Sequence, residues 1–113
     1  MSDKLSSTDR AMIEAVVGST EDQLLESLGE MLGGGAVRDT DPQGARARAE
    51  AWLRRNHERL RDAVCGRFNE HAFQDSVADI AAIADVLAAS FNKPTAFTVA
   101  AILLKRGLQT FCA

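Results

Sequence analysis

Residues 73 to 112 constrain this chain more than any other stretch, because they read as two helices that are apolar on nearly every side. Phe73, Val77, Ile80, Ala84, Leu87 and Phe91 recur every three or four residues, and Ile83 and Val86 add a second face. After the turn Asn92-Lys93-Pro94-Thr95, Phe97, Ala101, Leu104, Leu108 and Phe111 form one stripe, and Val99, Ile102 and Leu103 form another. A helix with no polar side has to be enclosed by other helices. The pattern therefore predicts an all-α fold: a compact bundle of about five helices around a central apolar C-terminal helical hairpin. Ile80, Ala84, Leu87, Phe97, Ala101, Leu104 and Leu108 are expected to be almost fully buried. With 113 residues the chain suits one domain, and a domain of that size buries roughly 65% of its unfolded surface.

The flanking segments supply shorter stripes. Ser6-Ser7-Thr8 offers capping hydroxyls, Met12, Ile13, Val16 and Val17 share a face, and Gly18 closes this first helix. Thr20 with Gln23 has the spacing of a capping box for a second helix, whose face is Leu24, Leu25, Leu28, Met31 and Leu32. Gly33-Gly34-Gly35 stops it and opens a linker over 33–41, which separates an N-terminal hairpin (8–32) from a three-helix core (42–113). The weak stripes of the hairpin predict that it docks less firmly than the rest. Asp41-Pro42 begins a long third helix, 42–65, with Gly66 as its cap. Its apolar stripe is thin: Ala45, Ala49, Trp52, Leu53, Leu60 and Val64.

Charge is distributed unevenly. Residues 1–37 carry a balance of −5, residues 38–67 carry +3 with eight arginines, and residues 68–113 carry −1. An acidic hairpin beside a basic helix is most simply an intramolecular match, with a polyanion site as the sharper alternative. Arg48, Arg54, Arg55, Arg59 and Arg61 are the residues such a site would use, since a guanidinium fork donates two hydrogen bonds to phosphate. The net charge of −3, the single Trp and the lack of Tyr weigh against nucleic acid.

Cys65 and Cys112 are too few for a disulfide scaffold and read as reduced thiols of a cytoplasmic protein. Met1 to Leu5 lack the character of a secretion leader, and the longest apolar run, Val99 to Leu104, is too short to span a bilayer. The Ala- and Arg-rich composition suggests a bacterial source.

Other chemistry is thinly supported. The triple glycine lacks the Lys-Ser/Thr continuation of a phosphate loop. In an up-down-up arrangement Cys65, His71 and Cys112 share one pole and could cluster, yet neither paired CxxC nor HxxxH spacing marks a metal site, and His57 stands roughly 12 Å below Cys65 at helical rise. His57 falls on the stripe of Leu53, Leu60 and Val64 as a core or boundary residue. Asp75 and Asp79 lie one turn apart, most simply on a solvent strip or facing the arginines. No catalytic residue, metal ligand or cofactor site is assigned.

These observations favour a small non-enzymatic interaction module: an adaptor, regulator or accessory subunit that binds another protein or a second copy of itself. The apolar surplus predicts an under-covered face around Ile83 and Val86 or around Val99, Ile102 and Leu103, which a homodimer would hide. The alternative is a nucleic-acid-binding regulator using the Arg-rich helix 42–65.

Overall fold

Short polar motifs set the helix boundaries. At Thr20 the capping box closes in both directions: Gln23 N–H donates to Thr20 Oγ1 (3.1 Å) and Thr20 N–H donates to Gln23 Oε1 (2.8 Å). Asn92 caps another helix by accepting from Thr95 N–H at 2.9 Å, with proline in the first turn where its missing N–H costs nothing. The sequence Asn92-Lys93-Pro94-Thr95 is thus a helix start rather than a free turn.

The computed structural model describes residues 7–32, 42–68 and 77–112. They form seven helices, with no strand among them: α1 (Ser7–Val17), α2 (Glu21–Leu32), α3 (Pro42–Arg55), α4 (His57–Phe68), α5 (Val77–Leu87), α6 (Lys93–Arg106) and α7 (Leu108–Cys112). The all-α expectation holds. The linker 33–41, Phe73, and the first residues of the expected fourth helix lie outside the described residues.

The rise from five helices to seven has two local causes. The expected third helix breaks at Asn56, whose side-chain amide donates to Trp52 O (2.9 Å) alongside its own N–H (3.0 Å). Asparagine competes for backbone groups in this way and weakens helix continuity. The break lets α3 lie against α2 while α4 meets α5 and α7. Gly66, expected to cap the helix, is passed, and α4 runs on to Phe68. The expected fifth helix stops at Gly107, whose φ of 96° is open to glycine at little cost, and restarts as α7.

α6 is the axis of the fold. Nine consecutive residues, Thr95 to Leu103, are buried, and α1, α2, α5 and α7 all pack on it. Burying such side chains is worth about 1.5–3 kcal/mol each, so this helix dominates the apolar stabilisation. Ile80, Ala84, Leu87, Phe97 and Ala101 are buried as expected. Leu104 is only half-buried, because it lies near the helix end where the enclosure opens, and the side chain of Leu108 lies outside the described residues. α5 is enclosed on one side only: Ala78, Ala82 and Asp85 are exposed.

Most of the face expected to be under-covered is enclosed. Ile83, Val99 and Ile102 are fully buried, Leu103 is 2% exposed, and Val86 is half-buried. The cover comes from the N-terminal hairpin, which is more deeply engaged than its short stripes suggest. Ile13, Leu24, Leu25 and Leu28 belong to the same hydrophobic cluster as α5 and α6.

Close approach makes this possible. Gly29 on α2 faces Ala45 on α3, and a Cβ on Gly29 would stand 2.8 Å from Ala45 Cα and nearer still to its carbonyl. The pair α2–α3 is therefore a backbone-to-backbone crossing built on small residues. Arg48 Nε reinforces it by donating to Gly29 O at 3.0 Å.

Candidate functional site

An open concavity lies between the N-terminal hairpin and the start of α6. The capping box at Thr20 and the stop at Gly18 fold α1 and α2 into adjacent helices. Asn92 and Pro94 aim the first turn of α6 into the gap they leave. Met12 and Val16 of α1, Leu24 and Met31 of α2, and Pro94 and Phe97 of α6 line an open cleft of about 230 Å³. Met31 is oriented from below: the buried Thr95 places its hydroxyl 3.7 Å from the Met31 sulfur. Met12, Val16 and Met31 remain half-buried, so apolar side chains reach the surface together. Methionine fills irregular space and re-packs readily, which suits it to an adaptable contact surface.

A smaller cleft of about 100 Å³ lies beside Asp9, Asp85, Lys93 and Phe97. Its central charges are already matched: Lys93 Nζ pairs with the nearly buried Asp9 carboxylate at 3.0 Å. It joins the first turn of α1 to the start of α6 and leaves little room for a ligand.

Several arginines are engaged by the chain itself, and within segment 38–67 it is Arg46 whose partner is a carboxylate of the acidic hairpin. Arg46 meets Glu26 at 2.6 Å, and Arg48 holds Gly29 O. Arg59 lies over the Phe91 ring at 5.4 Å, and that ring meets Trp52 edge-on at 5.3 Å. Arg61 donates to Cys112 O at 3.3 Å. Arg106 reaches Glu21 and Glu50, each at 2.6 Å, tying α6 to α2 and α3. Partial burial disfavours the Arg106 charge, but hydrogen bonds and attraction from the two carboxylates outweigh it and hold its pKa above the ordinary arginine value. Of the five arginines proposed for anion binding, Arg54, Arg55 and Arg59 are exposed with no ion pair or hydrogen bond among the described residues, and Arg59 alone of these three has a ring contact.

The cysteines correct the reduced-thiol expectation. Cys65 and Cys112 are joined as a disulfide, with Cα atoms 5.6 Å apart across 47 residues of chain. Their meeting at one pole was legible in the topology; the bond was not. Both sulfurs are consumed, so neither can serve a metal as thiolate. His71 and Asp75 lie outside the described residues. Asp79 is half-buried and engaged within the chain. His57, expected at the core or its boundary, is exposed, and its ring rests edge-on against Phe111, 4.8 Å between centroids.

The cleft was missed by sequence reasoning. Met12, Val16, Leu24 and Met31 were read as core stripes, and only their placement over Pro94 and Phe97 leaves part of them open. Among the described residues, no helix is long and apolar enough to cross a membrane. Compared with known proteins, the chain matches no family model, no curated protein and no solved structure.

Proposed function

We propose that this chain is a non-enzymatic protein-interaction module, an adaptor, regulator or accessory subunit, and that it receives an apolar segment of a partner protein in the cleft between α1, α2 and α6. The observation that carries this reading is the lining: Met12, Val16 and Met31, each half-buried, come to the surface together in one open concavity of about 230 Å³ with the buried Phe97 at its base. Small-molecule pockets usually enclose about 300–1,000 Å³ and bury most of their ligand. A smaller, open, methionine-lined cleft is better matched to one or two apolar side chains presented by a protein. The homodimer first expected around Ile83 and Val86 or around Val99, Ile102 and Leu103 loses its apolar patch, since Ile83, Val99, Ile102 and Leu103 are inside the fold and Val86 alone is half-buried.

The nucleic-acid reading is weakened by the same geometry. Arg48, Arg59 and Arg61 are committed to partners within the chain, which leaves Arg54 and Arg55 on a protein of net charge −3.

The test is a paired capture from the native host on wild-type protein and on the Met12→Gln/Met31→Gln variant, followed by calorimetry between purified components. The reading expects a protein that binds wild type and loses at least roughly tenfold affinity with the variant, with a negative heat-capacity change from apolar burial. A partner that binds both forms equally but fails with Arg54→Gln/Arg55→Gln would move the function to the arginine surface.

A further inference from the structure

We propose that the Cys65–Cys112 disulfide is a redox latch that holds the C-terminal helix α7 on α4, a regulatory device that does not depend on the interaction reading above. α7 has five residues, too few to persist as a helix on local hydrogen bonds alone. Gly107, at φ 96°, separates it from the buried α6 and gives the chain a pivot at that point. The surface it covers is one stripe of α4: His57, Arg61 and Cys65, spaced four residues apart. Each position of this stripe meets α7. His57 packs on Phe111, Arg61 donates to Cys112 O, and Cys65 bonds Cys112.

The contacts are unequal. His57 and Arg61 are exposed, so the ring contact and the hydrogen bond compete with water. Phe111 and Cys112 also pack against the edge of the hydrophobic core, and the disulfide adds the one covalent tie between α7 and α4. Both cysteines are half-buried residues at the edge of the bundle, not in its centre. The core positions of α4, Leu60 and Val64, point elsewhere and are fully buried. Opening the latch therefore frees a terminal element and exposes the half-buried Phe111 and Cys65 more fully, while the packing around α6 stays in place.

The chemistry is thiol–disulfide exchange with a dithiol reductant of the thioredoxin class. One reductant thiolate attacks a disulfide sulfur and displaces the other cysteine as thiolate, which takes up a proton. The second reductant thiol then resolves the mixed disulfide and releases the second cysteine as a thiol. Two electrons pass to the protein, and the reductant leaves as its own disulfide. In a reducing compartment the latch stands open and closes on oxidation, the usual behaviour of a disulfide in such a place.

Hydrogen exchange on the full chain tests this, comparing the oxidised protein, the protein treated with dithiothreitol, and the Cys65→Ser/Cys112→Ser variant. The expected result is that amides of residues 107–113 exchange at least roughly tenfold faster in both opened forms, while far-UV circular dichroism keeps its helical signal. Equal exchange in all three forms would overturn the latch. Collapse of the helical signal on reduction would also overturn it, by making the bond a staple of the whole fold. So would a protein isolated without reductant whose intact mass retains both thiol hydrogens.

Discussion

Gly29 and Ala45 bring α2 and α3 together backbone against backbone, with no room for a methyl group between them. The sequence gives no hint of it, since an isolated glycine inside a helix is ordinarily a small liability. Gly29→Ala should therefore destabilise the protein by about 1–3 kcal/mol, the usual cost of overpacking, despite the better helix propensity of alanine. Gly18→Ala is the control, because its nearest neighbours stand at 3.8 and 3.9 Å. Chemical denaturation of both variants checks the difference.

The enclosure of α6 makes a second prediction. Leu103→Ala should cost about 2–5 kcal/mol, and Leu104→Ala should fall at or below the low end of that range because Leu104 is half-buried. Ile102→Glu should abolish folding rather than dissociate a dimer, since a carboxylate there has no route to water. A folded, soluble Ile102→Glu protein would contradict the packing described.

The Arg106 junction predicts a particular response to salt and pH. Its side chain is 32% exposed and the partners Glu21 and Glu50 are 40% and 38% exposed, so screening limits each pair to roughly 0.2–1 kcal/mol. Arg106→Met should lose about that much per pair, and less in high salt. Because the folded-state pKa of Arg106 is raised, its contribution is complete below the ordinary arginine value and is lost only as pH climbs through the raised one. The stability gap between wild type and Arg106→Met should stay flat from about pH 7 to pH 9.

Much of the fold was legible. Gly18, the Thr20–Gln23 box and the apolar stripes of residues 77 to 103 each produced the local structure their chemistry implies. What could not be read was how faces pair. The sequence shows that Val99, Ile102 and Leu103 are apolar; it does not show that α1 and α2 reach across to cover them, because that depends on how α1 and α2 pack on α6 in three dimensions. Asn56 was hidden for a similar reason. The apolar and arginine spacing runs through it without a change of phase, and the break arises from one side-chain amide competing for Trp52 O. The cleft is a product of the same tertiary geometry, so its residues looked like core.

The exposed arginines give a further prediction. Arg54→Gln/Arg55→Gln should change stability by less than about 0.5 kcal/mol, as surface positions without partners do. Fluorescence anisotropy with labelled DNA and RNA should show no specific binding at physiological salt. Sub-micromolar binding that falls steeply with salt and disappears in this variant would support the arginine surface instead.

The central claim, that the methionine-lined cleft is where a partner protein docks, is tested most directly by methyl NMR. The chain has three methionines, and Met12 and Met31 both line the cleft, so a spectrum of methionine methyl groups is a near-dedicated reporter. Titration with the partner recovered by capture is expected to shift or broaden the Met12 and Met31 signals at the concentration where calorimetry reports binding. Saturated binding that leaves both signals where they were would contradict the account.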